Sequence, residues 1–139
     1  MKREFSASWI ASSQPRKQRK FIANAPLHIK HKFLSANLSK ELRIKYSKRN
    51  LPLRKGDDVL IMRGAFKRKK AKVSSVDLKN TRIALEGIQR AKKDGSKVNV
   101  FFHPSVLQIQ TLNLEDKQRI AAINRKPSEK STEKSKEKK

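Results

Sequence analysis

The stretch Arg63-Gly64-Ala65-Phe66-Lys67-Arg68-Lys69-Lys70-Ala71-Lys72 crowds six cations around one glycine and one aromatic ring. Ammonium and guanidinium groups at that density repel one another in water, whereas against a row of phosphates they release condensed counterions. The chemistry on offer is electrostatic binding, not bond making. Phe66 has two readings. Its ring could stack on an unpaired base, worth about 1–3 kcal/mol, or it could close one end of a core; the second is preferred. A further basic block, Arg16, Lys17, Arg19 and Lys20, follows Pro15 and is expected to be extended in the free chain, an arm of the kind that binds nucleic acid. His28, Lys30, His31 and Lys32 form a third set after Pro26. Arg43 and Arg54 complete the candidate binding residues.

Nothing comparable supports catalysis. His28 and His31 stand one helical turn apart, but zinc wants four ligands and neither a cysteine nor a nearby carboxylate completes the set. His103 lies beside a proline in a turn. The four glycines, Gly56, Gly64, Gly87 and Gly95, punctuate strand-like runs instead of gathering into a phosphate-cradling loop. The reading is of a binding protein with no metal, no cofactor and no enzymatic activity.

The totals agree. Thirty-six Lys and Arg against twelve Asp and Glu leave a formal charge of +24 on 139 residues. Such an excess disfavours the compact state by self-repulsion unless a polyanion lies against it. Nucleic acid is the first candidate. A membrane surface is disfavoured because no apolar run nears the ~20 residues of a spanning helix, and the first residues lack the apolar stretch of a secretory signal. With no cysteine the redox compartment leaves no mark, and a basic intracellular protein is expected.

Three zones must position these side chains. Residues 1–50 read as a basic arm with short helices: one from Pro26 to Leu34, and a second capped by Ser39, carrying Glu41 in its first turn and stopped by Pro52. Residues 51–112 change character. Short apolar bursts at Val59–Arg63, Lys72–Leu78, Arg82–Ile88, Val98–Phe102 and Leu107–Leu112 alternate with turn signals. Ile83 and Leu85, Val98 and Val100, and Leu107 and Ile109 show period two. Five such strands in about sixty residues predict a small closed barrel. Asn113 is expected to cap a helix over 113–124, with Asp116 at its third position and a thin Ile120/Ile123 stripe. Residues 125–139, free of aliphatic and aromatic side chains, are expected to be a disordered lysine-rich tail.

With these elements in place a resemblance emerges. Gly56-Asp57-Asp58-Val59, Met62-Arg63-Gly64-x-Phe66-Lys67 and Lys72-Val73 resemble the KOW motif, the glycine-centred hairpin of several proteins that work on RNA. The flanks Gln14–Lys20, Asn24–His28, Leu38–Arg43, Val76-Asp77-Leu78 with Glu86-Gly87, Lys93-Asp94-Gly95, His103-Pro104-Ser105 and Leu112–Asp116 are similar, in unbroken order, to the L-twenty-four family of large-subunit ribosomal proteins, L-twenty-six in eukaryotes. Details look most like the archaeal branch.

The resemblance implies an SH3-like KOW barrel with a basic, partly helical N-terminal extension. It also implies binding to the 5′ part of large-subunit ribosomal RNA, a role early in subunit assembly and a place near the exit of the peptide tunnel. The partners would be ribosomal RNA and neighbouring ribosomal proteins, with one copy per ribosome in the cytoplasm. One departure stands out: the family usually has glycine where this chain has Arg68 and Ala71. Either Arg68 takes a backbone conformation that arginine dislikes, or the turn no longer needs positive φ. A KOW module of a transcription factor and a basic chromatin-like or membrane-surface protein are the rival readings. The first would spread fewer cations along the chain; the second would need bulky apolar anchors on its helices.

Overall fold

The computed structural model describes residues 5–125. The termini 1–4 and 126–139, and with them almost all of the expected lysine-rich tail, lie outside the described residues. The elements run α1 (Pro15–Asn24), α2 (Leu27–Phe33), β1 (Ser35–Leu38), α3 (Lys40–Tyr46), β2 (Asn50–Pro52), β3 (Asp58–Ile61), β4 (Lys70–Asp77), β5 (Arg82–Ala91), β6 (Lys97–Phe102), β7 (Leu107–Thr111) and α4 (Lys117–Asn124).

The expected five strands correspond to β3–β7, with ends shifted by at most three residues. Two more, β1 and β2, come from residues read as helical arm or loop. Ser35–Leu38 and Asn50–Pro52 are too short to show a period. They become strands because the sheet offers them partners: β1 runs antiparallel to β2 and parallel to β7, with Leu38 beside Ile109. The strands pair in the linear order β2-β1-β7-β3-β4-β5-β6, so hydrogen bonding does not join the two ends β2 and β6 into the closed ring that was expected. The domain is a small, mostly antiparallel sheet whose bulges, at Asp58/Val59, at Val73/Ser75 and between Ala84 and Gln89, bend the strands.

Alternation sorts side chains to the core where the strands are regular. Val59 and Ile61 on β3, and Leu107 and Ile109 on β7, are fully buried. They meet Leu34, Leu38, Leu53, Val73, Ile83, Leu85 and Phe102. Each such side chain contributes about 1.5–3 kcal/mol by leaving water. On β6 the expected inward pair fails: Val98 is exposed and Val100 half-buried, and Phe102 is the strand's buried residue.

The helices depart from expectation more. The basic block is no extended arm but α1, with Pro15 at its first position, where a missing N–H is harmless. Its apolar anchor is Phe21, buried between Phe5 (ring centroids 5.4 Å apart) and Phe33 (5.7 Å, edge-on). Gln18 Nε2 reaches back to the carbonyls of Trp9, Ile10 and Ser12 in and beside the short 3-10 turn Ala7–Ala11. These contacts organise the arm without a partner.

Ser39 caps α3 as predicted, its Oγ accepting from the Leu42 N–H at 3.3 Å, with Glu41 in the first turn. The helix ends at Ser47 in the left-handed conformation, five positions before Pro52. In α4 the cap is Asp116, whose carboxylate accepts from the Gln118 N–H at 2.7 Å. Asn113 instead bends the chain ahead of it, its Oδ1 accepting from the Glu115 N–H. The inner stripe of α4 is Arg119 and Ile123; Ile120 faces outward.

Candidate nucleic-acid interface

The cationic hairpin joins β3 to β4. Arg68 N–H donates to the Ile61 carbonyl (2.8 Å), and Ile61 N–H donates to the carbonyl of Lys69 (3.0 Å). Arg68 and Lys69 thus oppose a single residue, a bulge whose first position is normally glycine in the left-handed region. Arg68 occupies it, at φ +69°. Of the two alternatives raised by the missing glycine the first holds: the turn uses positive φ and arginine carries the strain, of order 1–2 kcal/mol. Ala71 is no loop residue at all. It lies on β4 opposite Val59 and packs half-buried on the core, so a missing glycine there costs nothing.

The bulge leaves Arg63, Lys67, Arg68, Lys69, Lys70 and Lys72 exposed on one hairpin. Phe66 takes its core role, meeting Phe102 edge-on with centroids 6.0 Å apart, and the Lys69 ammonium sits 5.4 Å above its ring. The ring is thus half-buried against the core, the second of its two readings.

The other candidate residues divide into two groups. Arg16, Lys17, Arg19 and Lys20 all point to solvent from α1, and His28 and Lys32 are exposed on α2. The rest already have intramolecular work. Lys30 Nζ donates to the Lys79 carbonyl (2.9 Å), tying α2 to the β4–β5 turn. Arg43 Nε donates to the Leu38 carbonyl (2.9 Å). Arg54 pairs with Asp116. His31, half-buried, shares a cavity wall with Arg54. His103 caps the short 3-10 turn Pro104–Val106 through Nδ1. Among the described residues no group of three or more His, Cys, Asp or Glu gathers as a metal site, and no helix is long and apolar enough to cross a membrane.

Sequence reasoning passed over two features. Arg90, Lys92, Lys93 and Lys97, exposed on the distal β5–β6 hairpin, form another cationic projection that charge density alone could have flagged. The second is internal. Asp57 is fully buried beneath the β2–β3 connection. Its carboxylate accepts from the backbone N–H groups of Arg54 and Asn113 (2.9 Å each) and from both guanidinium nitrogens of Arg119 (2.6 and 2.7 Å). Arg119 also donates to the carbonyls of Asn113 and Pro52. Four donors satisfy the carboxylate and clamp α4 to the sheet. Beside it Gly56 sits at φ +88°, a conformation that favours glycine, and a Cβ there would stand 2.9 Å from Asn113 Nδ2, the end of a side chain that would have to shift.

A small sheet domain held shut by an internal ion pair, with its cations displayed on a hairpin and a helix, has the build of a basic structural protein. The comparison with known sequences gives that class a family: the one described as ribosomal proteins L-twenty-six of eukaryotes and L-twenty-four of archaea matches residues 12–126. The large ribosomal subunit protein uL24 of Methanosphaera stadtmanae is 46% identical over 115 residues, 83% of this chain and 98% of that relative. Its counterpart from Korarchaeum cryptofilum is 46% identical over 117 residues, 84% of this chain and 89% of the relative. The chain belongs to this archaeal and eukaryotic family; it is a ribosomal protein and not an enzyme.

Proposed function

We propose that this protein is a structural constituent of the large ribosomal subunit that binds ribosomal RNA in its 5′ region, supports subunit assembly and lies near the peptide tunnel exit in the cytoplasmic ribosome. The observation that carries the binding is the β3–β4 hairpin: six exposed cations are held on a bulge that accepts a strained arginine where glycine would be easier. The sheet domain corresponds to the family's SH3-like KOW barrel. The proposed division is a basic arm over 1–50, the barrel over 51–112, a helix over 113–124 and a lysine-rich tail over 125–139.

In this reading the hairpin residues Arg63 and Lys67–Lys72 and the α1 residues Arg16, Lys17, Arg19 and Lys20 neutralise phosphates. His28, His31 and Lys32 contribute from α2, while Lys30, Arg43 and Arg54 hold the RNA-facing elements together and offer their remaining N–H groups. Recognition is of shape and backbone rather than a base code. The partners are ribosomal RNA and neighbouring ribosomal proteins; the chain acts as a single copy, without membrane contact or cofactor.

The test is sucrose-gradient sedimentation of lysate at low salt and at ~0.5 M salt, probing for this chain. Co-migration with the large subunit at both salts is expected of an integral component. A chain that stays at the top of the gradient in both would overturn the proposal. Displacement by salt alone would make it a peripheral RNA binder, since six to ten phosphate contacts lose about 10³-fold or more in affinity as salt rises.

A further inference from the structure

Between α2, the β2–β3 connection and β4 lies an open cavity of about 590 Å³, lined by His31, Leu53, Arg54, Lys55, Ser74, Ser75, Val76 and Leu78. Its make-up differs from the rest of the basic surface. The floor is aliphatic: Leu53 is buried, and Val76 and Leu78 pack half-buried on the core. The rim carries an imidazole, a guanidinium, an ammonium and two hydroxyls, and no carboxylate lines it. One carboxylate nearby, Asp77, is turned to the backbone and amide N–H groups of Lys79 and Asn80. A second, Asp116, neutralises part of Arg54. The Lys30–Lys79 hydrogen bond pins α2 to the end of the same wall, so the cavity is held by structure on both sides.

We infer that this cavity seats one nucleotide of the bound RNA, unstacked from its neighbours, with its base against Val76 and Leu78 and its phosphate at Lys55 and the Arg54 side of the rim. The inference rests on the RNA-binding reading and adds a site to it. A surface that only neutralised phosphate would gain nothing from an aliphatic floor; a buried apolar cleft for a peptide would gain nothing from a rim of one sign. A base is flat, largely apolar on its faces and carries its anion one sugar away, which fits both halves. RNA presents such bases in loops and bulges, where recognition by proteins concentrates. Phe66, the aromatic weighed above for base contact, packs half-buried against Phe102, and the aliphatic floor here offers a separate apolar surface for a base.

The experiment uses the full chain with a transcript of the 5′ part of an archaeal large-subunit ribosomal RNA carrying 4-thiouridine, photocrosslinked and mapped by peptide mass spectrometry. Crosslinks to Leu53–Lys55 and to Ser74–Leu78 are expected in addition to those from the β3–β4 hairpin. Ser75 is exposed, so Ser75→Glu keeps the fold while placing an anion in the cavity; it should cut the cavity crosslinks and lower affinity about eightfold at ~0.1 M salt, one phosphate's worth. Ser75→Leu, which fills the cavity without charge, should remove the same crosslinks and reduce the salt slope by about 0.9, because the phosphate at Lys55 and Arg54 is lost with the base. Asn37→Glu, an equal charge change on exposed β1, should leave the cavity crosslinks intact. Hairpin crosslinks without cavity crosslinks, or cavity crosslinks indifferent to Ser75→Leu, would refute the nucleotide site while leaving RNA binding standing. No crosslink anywhere would bring down the binding reading and the site together.

Discussion

Arg119→Ala should be among the most damaging single changes in the protein. Its guanidinium supplies two of the four donors to Asp57, at 2.6 and 2.7 Å, and Asp57 has no exposure to solvent. Truncation would leave that carboxylate with two backbone N–H groups and no countercharge. It would also free the carbonyls of Asn113 and Pro52 and release α4, whose other inward anchor is Ile123. Removing one partner of a buried pair costs about 3–5 kcal/mol, which is a large part of the roughly 5–15 kcal/mol that holds a typical domain folded. At roughly 3–6 °C per kcal/mol for a domain of this size the melting temperature should fall by about 9–30 °C. Urea unfolding followed by far-ultraviolet circular dichroism reads the loss directly. A cycle with Asp57→Asn should show coupling of about 2 kcal/mol or more. A loss below ~1 kcal/mol in the single variant, or additive effects in the double, would mean that water or another group compensates Asp57 and that the pair does not clamp α4.

Other outcomes follow from the same geometry. Gly56→Ala, forced into left-handed backbone against Asn113 Nδ2, should lower the urea midpoint by an amount equal to about 1–3 kcal/mol with the slope unchanged. Arg68→Gly should leave stability within ~1 kcal/mol, because relief at φ +69° is offset by a looser unfolded chain. The same variant should reduce the salt slope of RNA binding by about 0.9, and an unchanged slope would remove Arg68 from the interface. Phe66→Ala should cost about 2–4 kcal/mol of folding stability through its half-buried ring and the contact with Phe102, visible as a lower melting temperature without RNA present. Asp77 should titrate below the ordinary aspartate range because the Asn80 N–H and amide bind its charged form, and Asp94 likewise through the Ser96 hydroxyl and N–H. Depressed values of this kind stabilise the fold above the unfolded-state value, and that contribution is lost as pH falls through the folded one. Carboxyl chemical shifts followed by NMR from about pH 6 down to about pH 2 check both.

The parts of this fold that local chemistry dictates were readable beforehand. Strands β5 and β7 announce themselves by alternation at Ile83 and Leu85 and at Leu107 and Ile109, β3 and β4 as short apolar bursts between turn signals; Ser39 announces a cap, and the cations of the β3–β4 hairpin need no structure to be noticed. What local patterns do not carry was missed. β1 and β2 are strands only because β7 and each other complete their ladders, and α1 is a helix partly because Phe21 finds Phe5 and Phe33. Arg119 looked like one more surface cation among thirty-six Lys and Arg, since nothing in its neighbourhood tells that a carboxylate far back in sequence waits for it. The same blindness affected the candidate interface. Charge identified which residues want an anion, but Lys30, Arg43 and Arg54 spend part of theirs on the protein itself, and the cavity beside His31 is formed by residues from separate segments.

The separation between Asp57 and Arg119 has a consequence for how the protein is born. The two lie 62 positions apart, and synthesis at about 5–20 residues per second delivers the guanidinium roughly 3–12 seconds after the carboxylate. Throughout that interval the sheet strands up to β7 can emerge, but the anion they would bury has no cation to meet it. Completion of the interior is thereby deferred until α4 arrives. A nascent chain that has not yet reached α4 holds Asp57 without the guanidinium that meets it in the finished fold.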